Sequence, residues 1–357
     1  MGSIFLRISR LAIMQVLQYY RRKSLIMKHP QPFTLPVLNR ILVLNSKGDL
    51  HLKTINLGHS GMNASVVALG IMRMNSLTVD QASKVLETAV DLGINYVDSA
   101  DIYGGGDSST IFGKALKQST VSRDQLFIQS KGGIVPGKRY DFSKQHLLDA
   151  VDGELQRLGV DYLDSFLLHR PDPLMDLAEV AEAFNELQLS GKVRHFGVSN
   201  FNPMQVDFLQ AAVNQRLMIN QLQFGVMHTG AIDFGLHTNM QDDRSINHDG
   251  EIIEYSRLHQ MTIQAWSPYQ YGNFAGIFLD NPKFPKLNEA MQALADEKKT
   301  SKSAIATAWI LRHPAKIQVI LGTMNPKHLA ENAAGANIDL TRQEWYDIYF
   351  AAGNDLP

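Results

Sequence analysis

The 357-residue chain has no cysteine. That excludes a disulfide framework, thiolate metal ligation and a cysteine nucleophile. It also has no apolar run near the roughly 18 residues a membrane span requires. The most apolar early stretch, Leu11–Tyr20, is interrupted by Gln15 and Gln18. Net charge is small as well: 34 Lys and Arg stand against 35 Asp and Glu, for a formal charge of -1. Bulk charge gives no reason to expect a nucleic acid or a polyanionic partner. Acidic residues are missing until Asp49, so the first part of the chain is basic. Residues 1–53 are set apart as a leader. Three readings of it stand side by side: a targeting segment, which is typically Arg-rich and acid-poor; a short amphipathic surface helix; or a poorly ordered extension, with Met27 as an alternative start.

What is present is ordinary for a globular protein, with 45% hydrophobic and 19% charged residues. From about Thr54 short apolar runs alternate with amphipathic stretches. The runs are Val66–Ile71, Asn95–Ser99, Leu126–Lys131, Leu163–His169, Val193–Val198, Met218–Leu222, Thr262–Trp266 and Val319–Gly322. Their Val, Ile, Leu and Phe content suits buried parallel strands. Between them, Val79–Leu92, Lys144–Leu158, Ala178–Ser190 and Ser303–Arg312 carry helical periodicity, and Gly93, Gly159 and Gly191 stand where helices should stop. Eight such units predict an α/β protein, a closed (β/α)8 TIM barrel over residues 54–357. An open dinucleotide-binding sheet is the alternative. No G-x-G-x-x-G follows the first strand, however, and Gly104-Gly105-Gly106 lacks that spacing. Two connections are unusually long. Gly225–Gly250 follows the sixth strand and Tyr269–Pro285 the seventh, and both are expected to rise as lids over the C-terminal rim.

Four polar residues stand at or just past successive strand ends. Asp98 ends the second strand and Tyr103 follows in its loop; Lys131 ends the third and His169 the fourth. A charge led in by apolar residues points into the mouth of the barrel, where it is costly unless paired. Lys131 beside Asp98 meets that need. The same ammonium is expected to lower the pKa of Tyr103 and make the phenol a better acid near neutrality. Neutral His169 can orient a carbonyl oxygen. Singly, each residue has a structural reading; on three consecutive strand ends they form a constellation suited to carbonyl reduction. The histidines show no ligand cluster, so no metal is expected, and a metal-dependent barrel hydrolase is the weakest alternative.

The phrases VDSADIYG (97–104), SKGG (130–133), LLHRPDPLM (167–175), SGKVRHFGVSNF (190–201), NQLQ (220–223), AWSPY (265–269) and GTMNPKHLAEN (322–332) resemble the aldo-keto reductase family, in particular a bacterial oxidoreductase branch. The resemblance implies a catalytic tetrad of Asp98, Tyr103, Lys131 and His169, NADPH as cofactor with NADH as the alternative, a small carbonyl substrate and a cytoplasmic enzyme. It implies that Ser199, Asn200 and Gln221 hold the nicotinamide carboxamide, and that Trp266 stacks on its ring. It places Gly70, Ile71 and Met72 beside the cofactor and Ser267 and Pro268 by the pyrophosphate. Gly322, Thr323, His328 and Asn332 fall at the adenosine end. Many relatives carry Lys or Arg at positions matching Gly322 and His328, so the NADPH preference is expected to be weaker here, with Lys327 a substitute cation. A cofactor-binding redox sensor or regulatory subunit, of the kind potassium-channel β subunits resemble, is the competing reading. Cofactor oxidation by simple aldehydes separates the two.

Overall fold

The computed structural model describes residues 52–236, 243, 251–272 and 275–354. The leader, up to residue 51, lies outside the described residues, as do most of the second half of the 225–250 connection, Phe274 and the last three residues. The chain enters through a hairpin, β1 (Thr54–Asn56) paired antiparallel with β2 (Asn63–Ser65). Eight parallel strands follow: β3 (Val67–Gly70), β4 (Tyr96–Asp98), β5 (Phe127–Gly132), β8 (Leu163–Leu168), β9 (Val193–Ser199), β10 (Leu217–Gln223), β11 (Thr262–Trp266) and β12 (Gln318–Leu321). β12 pairs back onto β3, so the sheet closes. Closure leaves no edge, and the near-continuous burial of these strands explains their apolar runs. A second hairpin, β6 (Ile134–Val135) with β7 (Arg139–Tyr140), rises after β5. Neither hairpin is legible in the apolar pattern, because both are only two or three residues per strand.

The outer ring contains α1 (Val79–Asp91), α2 (Asp107–Gln118), α3 (Lys144–Leu158), α4 (Leu177–Leu189), α5 (Pro203–Gln210), α6 (Gly230–Leu236), α7 (Ile252–Leu258), α8 (Pro285–Glu297), α9 (Lys302–Leu311), α10 (Pro326–Ala333) and α11 (Arg342–Ala351). α1 shows why the sequence makes a helix there. Thr78 accepts from the backbone of Gln81, whose side chain accepts from Thr78 in return, a reciprocal cap. Ala82, Val85, Leu86 and Ala89 then face inward at helical spacing and are buried. Truncating Leu86 to Ala at such a site costs about 2–5 kcal/mol. α3 stops where Gly159 takes a left-handed conformation, φ 67°, which glycine adopts without a Cβ penalty.

The N-terminal end of the barrel is sealed by the first hairpin. Leu57, Met62 and Ala64 pack on Ala68, Tyr96 and Ile320, and the Gly58 amide donates to Thr262 Oγ1 at 2.8 Å. A Cβ on Gly58 would lie 2.5 Å from that of Met218, so the close approach requires glycine. With this end closed, the opposite rim is where a ligand can enter.

Candidate active site

The strand register brings the four predicted polar residues together. Gly70 pairs with Asp98, Asp98 with Gln129, and Lys131 with Leu167 on neighbouring strands. Lys131 is fully buried, and its ammonium donates to Asp98 Oδ1 at 2.8 Å, to the Ser99 carbonyl at 2.5 Å and to the Tyr103 hydroxyl at 3.1 Å. The Tyr103 and His169 rings meet edge to face, 6.0 Å between centroids. Tyr103 is placed by a tight turn in which Gly104, Gly105 and Gly106 all have positive φ, of 60°, 67° and 97°. The glycine run therefore shapes the turn that presents the phenol.

Burial holds the Lys131 ammonium down, but Asp98 and then Tyr103 outweigh it and push its pKa above the ordinary value. His169 is held well below the usual imidazole range by burial, reinforced by Lys131 and Arg170, so it is neutral at physiological pH. Tyr103 corrects the sequence expectation. Burial pushes its pKa up, and the opposing pull of Lys131 does not reverse the direction. Composition and order identify the ammonium but not how deeply the phenol is withdrawn from water. The phenol is therefore a reliably protonated hydroxyl, with Lys131 limiting how far burial raises it.

Beneath the tetrad lies a glutamine floor, of which sequence reasoning named only Gln221 and missed Gln129, Gln264 and Gln318. Gln129 donates to Asp98 Oδ1 at 2.6 Å and to Gln264 Oε1 at 2.8 Å. Gln221 donates to the same two acceptors at 3.0 Å each. Gln264 continues to Gln318 at 2.8 Å, and Gln318 to the Ser65 carbonyl at 2.9 Å. The available signal was the two-residue period of a strand: Gln129 precedes Lys131 by two and shares its face.

A cavity of about 1070 Å³ opens above this floor. It is lined by Asp98, Tyr103 and His169 and by all the other predicted site residues save Lys131 and Ile71. Lys131 sits behind Tyr103. Ile71 is completely buried in the core, and what it offers the site is backbone: its amide donates to the Asp98 carbonyl at 2.9 Å. Gln221 spends both amide hydrogens on the floor, leaving its side-chain oxygen as the group it can offer a carboxamide. Ser199 Oγ donates to the Gln221 carbonyl and accepts from Asn200. Asn200 and Ser267 line the cavity with left-handed φ of 61° and 48°, unusual for residues with a Cβ. Of the two long connections, the one after β11 reaches the cavity, through Tyr269, Gln270, Ile277, Leu279 and Asp280. It folds back on itself, the Phe278 amide donating to the Tyr269 carbonyl at 3.0 Å, and Asp280 pairs with Lys302. Among the described residues of the other, none lines the cavity.

Two arginines were also missed. Arg73, three residues past the end of β3, lines the cavity with its guanidinium 3.5 Å from the Gly322 carbonyl. A Cβ at 322 would lie 3.3 Å from that nitrogen, so a side chain there would press on the Arg73 guanidinium. Lys327, the expected substitute, is 80% exposed, lies 3.8 Å from Glu331 and does not line the cavity. Arg170, next to His169 in the chain, also lines the cavity, its guanidinium 5.9 Å from the centre of the Trp266 ring.

A closed parallel (β/α)8 barrel with a buried Asp–Lys–Tyr cluster facing a cavity at the C-terminal rim has the layout of a barrel enzyme with its chemistry at that rim. The chain belongs to the aldo-keto reductase family: the model "Aldo/keto reductase family" matches residues 66–349. It is an NAD(P)H-dependent oxidoreductase. Among its relatives is a 6-dehydroglucose reductase of Novosphingobium aromaticivorans, 33% identical over 84% of this chain and 96% of that protein. Another is the oxidoreductase YdhF of Escherichia coli, 33% identical over 85% of this chain and 99% of that protein. The fold is that of a Klebsiella pneumoniae aldo-keto reductase solved in complex with NADPH, with a TM-score of 0.67 and 23% identity over 83% of this chain and 94% of that one.

Proposed function

We propose that the chain reduces an aldehyde or ketone to an alcohol with NADPH, using Tyr103 as the proton donor. The observation that carries this reading is the meeting of Asp98, Tyr103 and Lys131 at one ammonium, 2.8 Å from the carboxylate and 3.1 Å from the phenol. NADPH, when bound, supplies the hydride. The carbonyl oxygen of the substrate takes the Tyr103 proton, and the neutral His169 imidazole orients that oxygen by a hydrogen bond. Lys131 stabilises the tyrosinate left behind, and Asp98 holds Lys131 in place with help from Gln129 and Gln221.

The cavity suits the cofactor in its donor set. Asn200 brings a side-chain amide and Gln221 its side-chain oxygen to the cavity, Trp266 offers a flat half-buried face, and buried Asn332 lines it with His328. Ser199, Asn200 and Gln221 would hold the carboxamide, and Trp266 the ring. Ser267 and Pro268 would border the pyrophosphate, with Gly70 and Met72 alongside. Gly322, Thr323, His328 and Asn332 would hold the adenosine end, with Arg73 as the phosphate-binding cation. No helix among the described residues is long and apolar enough to cross a membrane. The lack of cysteine suits a reducing compartment, and we place the enzyme in the cytoplasm. The test is a panel of aldehydes and ketones, a sugar aldehyde included, with NADPH and NADH, followed by loss of reduced-nicotinamide absorbance. Cofactor binding without oxidation by any carbonyl in the panel would favour the sensor reading instead.

A further inference from the structure

The lysines and arginines that line the cavity are unequal in how they are neutralised. Lys302 pairs with Asp280. Arg73 and Arg170 have no carboxylate partner among the described residues. Arg73 lies at the Gly322 end, where the phosphates of the cofactor are assigned above. Arg170 lies on the tetrad side, directly after His169 in the chain and facing Trp266.

Arg170 is half-buried, its side chain makes no hydrogen bond or ion pair among the described residues, and its guanidinium lies over the Trp266 ring at 5.9 Å. A cation–π contact at that range is weak compensation for a guanidinium drawn partly out of water. The walls of the cavity are otherwise rich in apolar groups, including Met72, Ile102, Ile134 and Ile277. Asp98 cannot answer Arg170, because its charge is taken by Lys131 at 2.8 Å. The nicotinamide carboxamide is neutral and cannot answer it either. His169 is held in its neutral form, partly by Arg170 itself, and adds no competing charge. The tetrad end of the cavity thus carries one uncompensated positive charge in a planar fork, the geometry that a carboxylate fits with two parallel hydrogen bonds.

We propose that Arg170 is a specificity residue that selects carbonyl substrates bearing a carboxylate, seating the anion beside Trp266 while the carbonyl lies against Tyr103 and His169. This rests on the carbonyl-reductase reading above. The test compares kcat/KM, with NADPH, for 4-carboxybenzaldehyde and its neutral ester methyl 4-formylbenzoate, in wild type, Arg170→Gln and Arg170→Lys. A charge-assisted pair of this kind corresponds to roughly tenfold or more in affinity. Wild type should therefore prefer the acid by about tenfold or more. Arg170→Gln should erase that preference, chiefly through the KM of the acid, and Arg170→Lys should retain part of it. Equal wild-type values for acid and ester overturn the proposal. So does a preference that survives Arg170→Gln, or a loss in that variant that falls equally on both substrates.

Benzoate binding to the NADP⁺-loaded protein, measured by calorimetry, gives a readout that needs no turnover. Binding that weakens by about tenfold in Arg170→Gln supports the anion seat; no binding, or binding equal in the two proteins, overturns it. Arg170-dependent benzoate binding in a protein that reduces neither aldehyde would refute the reductase reading and leave the anion seat standing. Reduction of both aldehydes without preference would do the reverse.

Discussion

The Lys131 ammonium lies 3.1 Å from the Tyr103 hydroxyl, yet the phenol is held above its ordinary pKa, because burial outweighs the charge. Lys131 therefore restrains a rise more than it creates a fall. Tyr103→Phe removes the proton and keeps the ring. Turnover should drop by about 10²–10⁴-fold, the usual worth of general acid catalysis, with NADPH affinity changed little. Lys131→Met should be comparably damaging and should shift alcohol oxidation, which needs the deprotonated phenol, to higher pH. Single-turnover hydride transfer and cofactor titration check both. A Tyr103→Phe variant with more than half of wild-type turnover would remove Tyr103 from the role.

Arg73 lines the cavity beside Gly322, where it is proposed above as the phosphate-binding cation. Arg73→Ala should weaken NADPH binding by roughly tenfold or more, on the scale of one charge-assisted hydrogen bond. His328→Arg, which adds a permanent cation to the same end of the cavity, should strengthen it. Titration by tryptophan fluorescence can follow both, since Trp266 is half-buried in the cavity. Unchanged NADPH affinity in Arg73→Ala would show that its guanidinium faces no phosphate.

Asp101 sets a pH dependence of stability. Its carboxyl is pushed from 3.8 up to about 7, first by burial and then by Glu154, with Arg157 and others opposing. Its buried Oδ1 has no hydrogen-bond partner. Between those values the folded protein binds a proton that the unfolded chain releases. The resulting stabilisation is therefore full below about pH 4 and is lost as pH rises towards 7. At about 1.4 kcal/mol per pH unit the loss is at most about 4 kcal/mol, and less where water reaches the group. Asp101→Asn should leave Tm near wild type at pH 4 and raise it at pH 8. An equal shift at both pH values would contradict the assignment.

Glu154 is completely buried on α3 and gathers Ser130 at 2.6 Å, Ser109 at 3.0 Å and Arg157 at 3.0 Å. Glu154→Ala strands these donors. The loss should be about 3 kcal/mol, the low end for breaking a buried pair, because the Arg157 side chain is 31% exposed and can find water. Denaturant unfolding measures it. A change below about 0.5 kcal/mol, typical of a surface substitution, would show that the cluster is not structural.

The eight strand–helix units were legible in the sequence, because a buried parallel strand and an amphipathic helix each write their burial into a local period. Asp98, Lys131 and His169 could be read as a constellation for the same reason: each stands where an apolar run ends, and strand ends share one rim. The direction of the Tyr103 shift was not legible, since burial is summed over every element that surrounds the phenol. The glutamine floor joins Gln221 to Asp98 across 123 residues, and Arg73 meets Gly322 across 249. No periodicity carries such pairings. They exist because closing the barrel brings β3 against β12 and turns one face of every strand toward a common centre, where the electrostatic character of each polar group depends on its neighbours across the barrel.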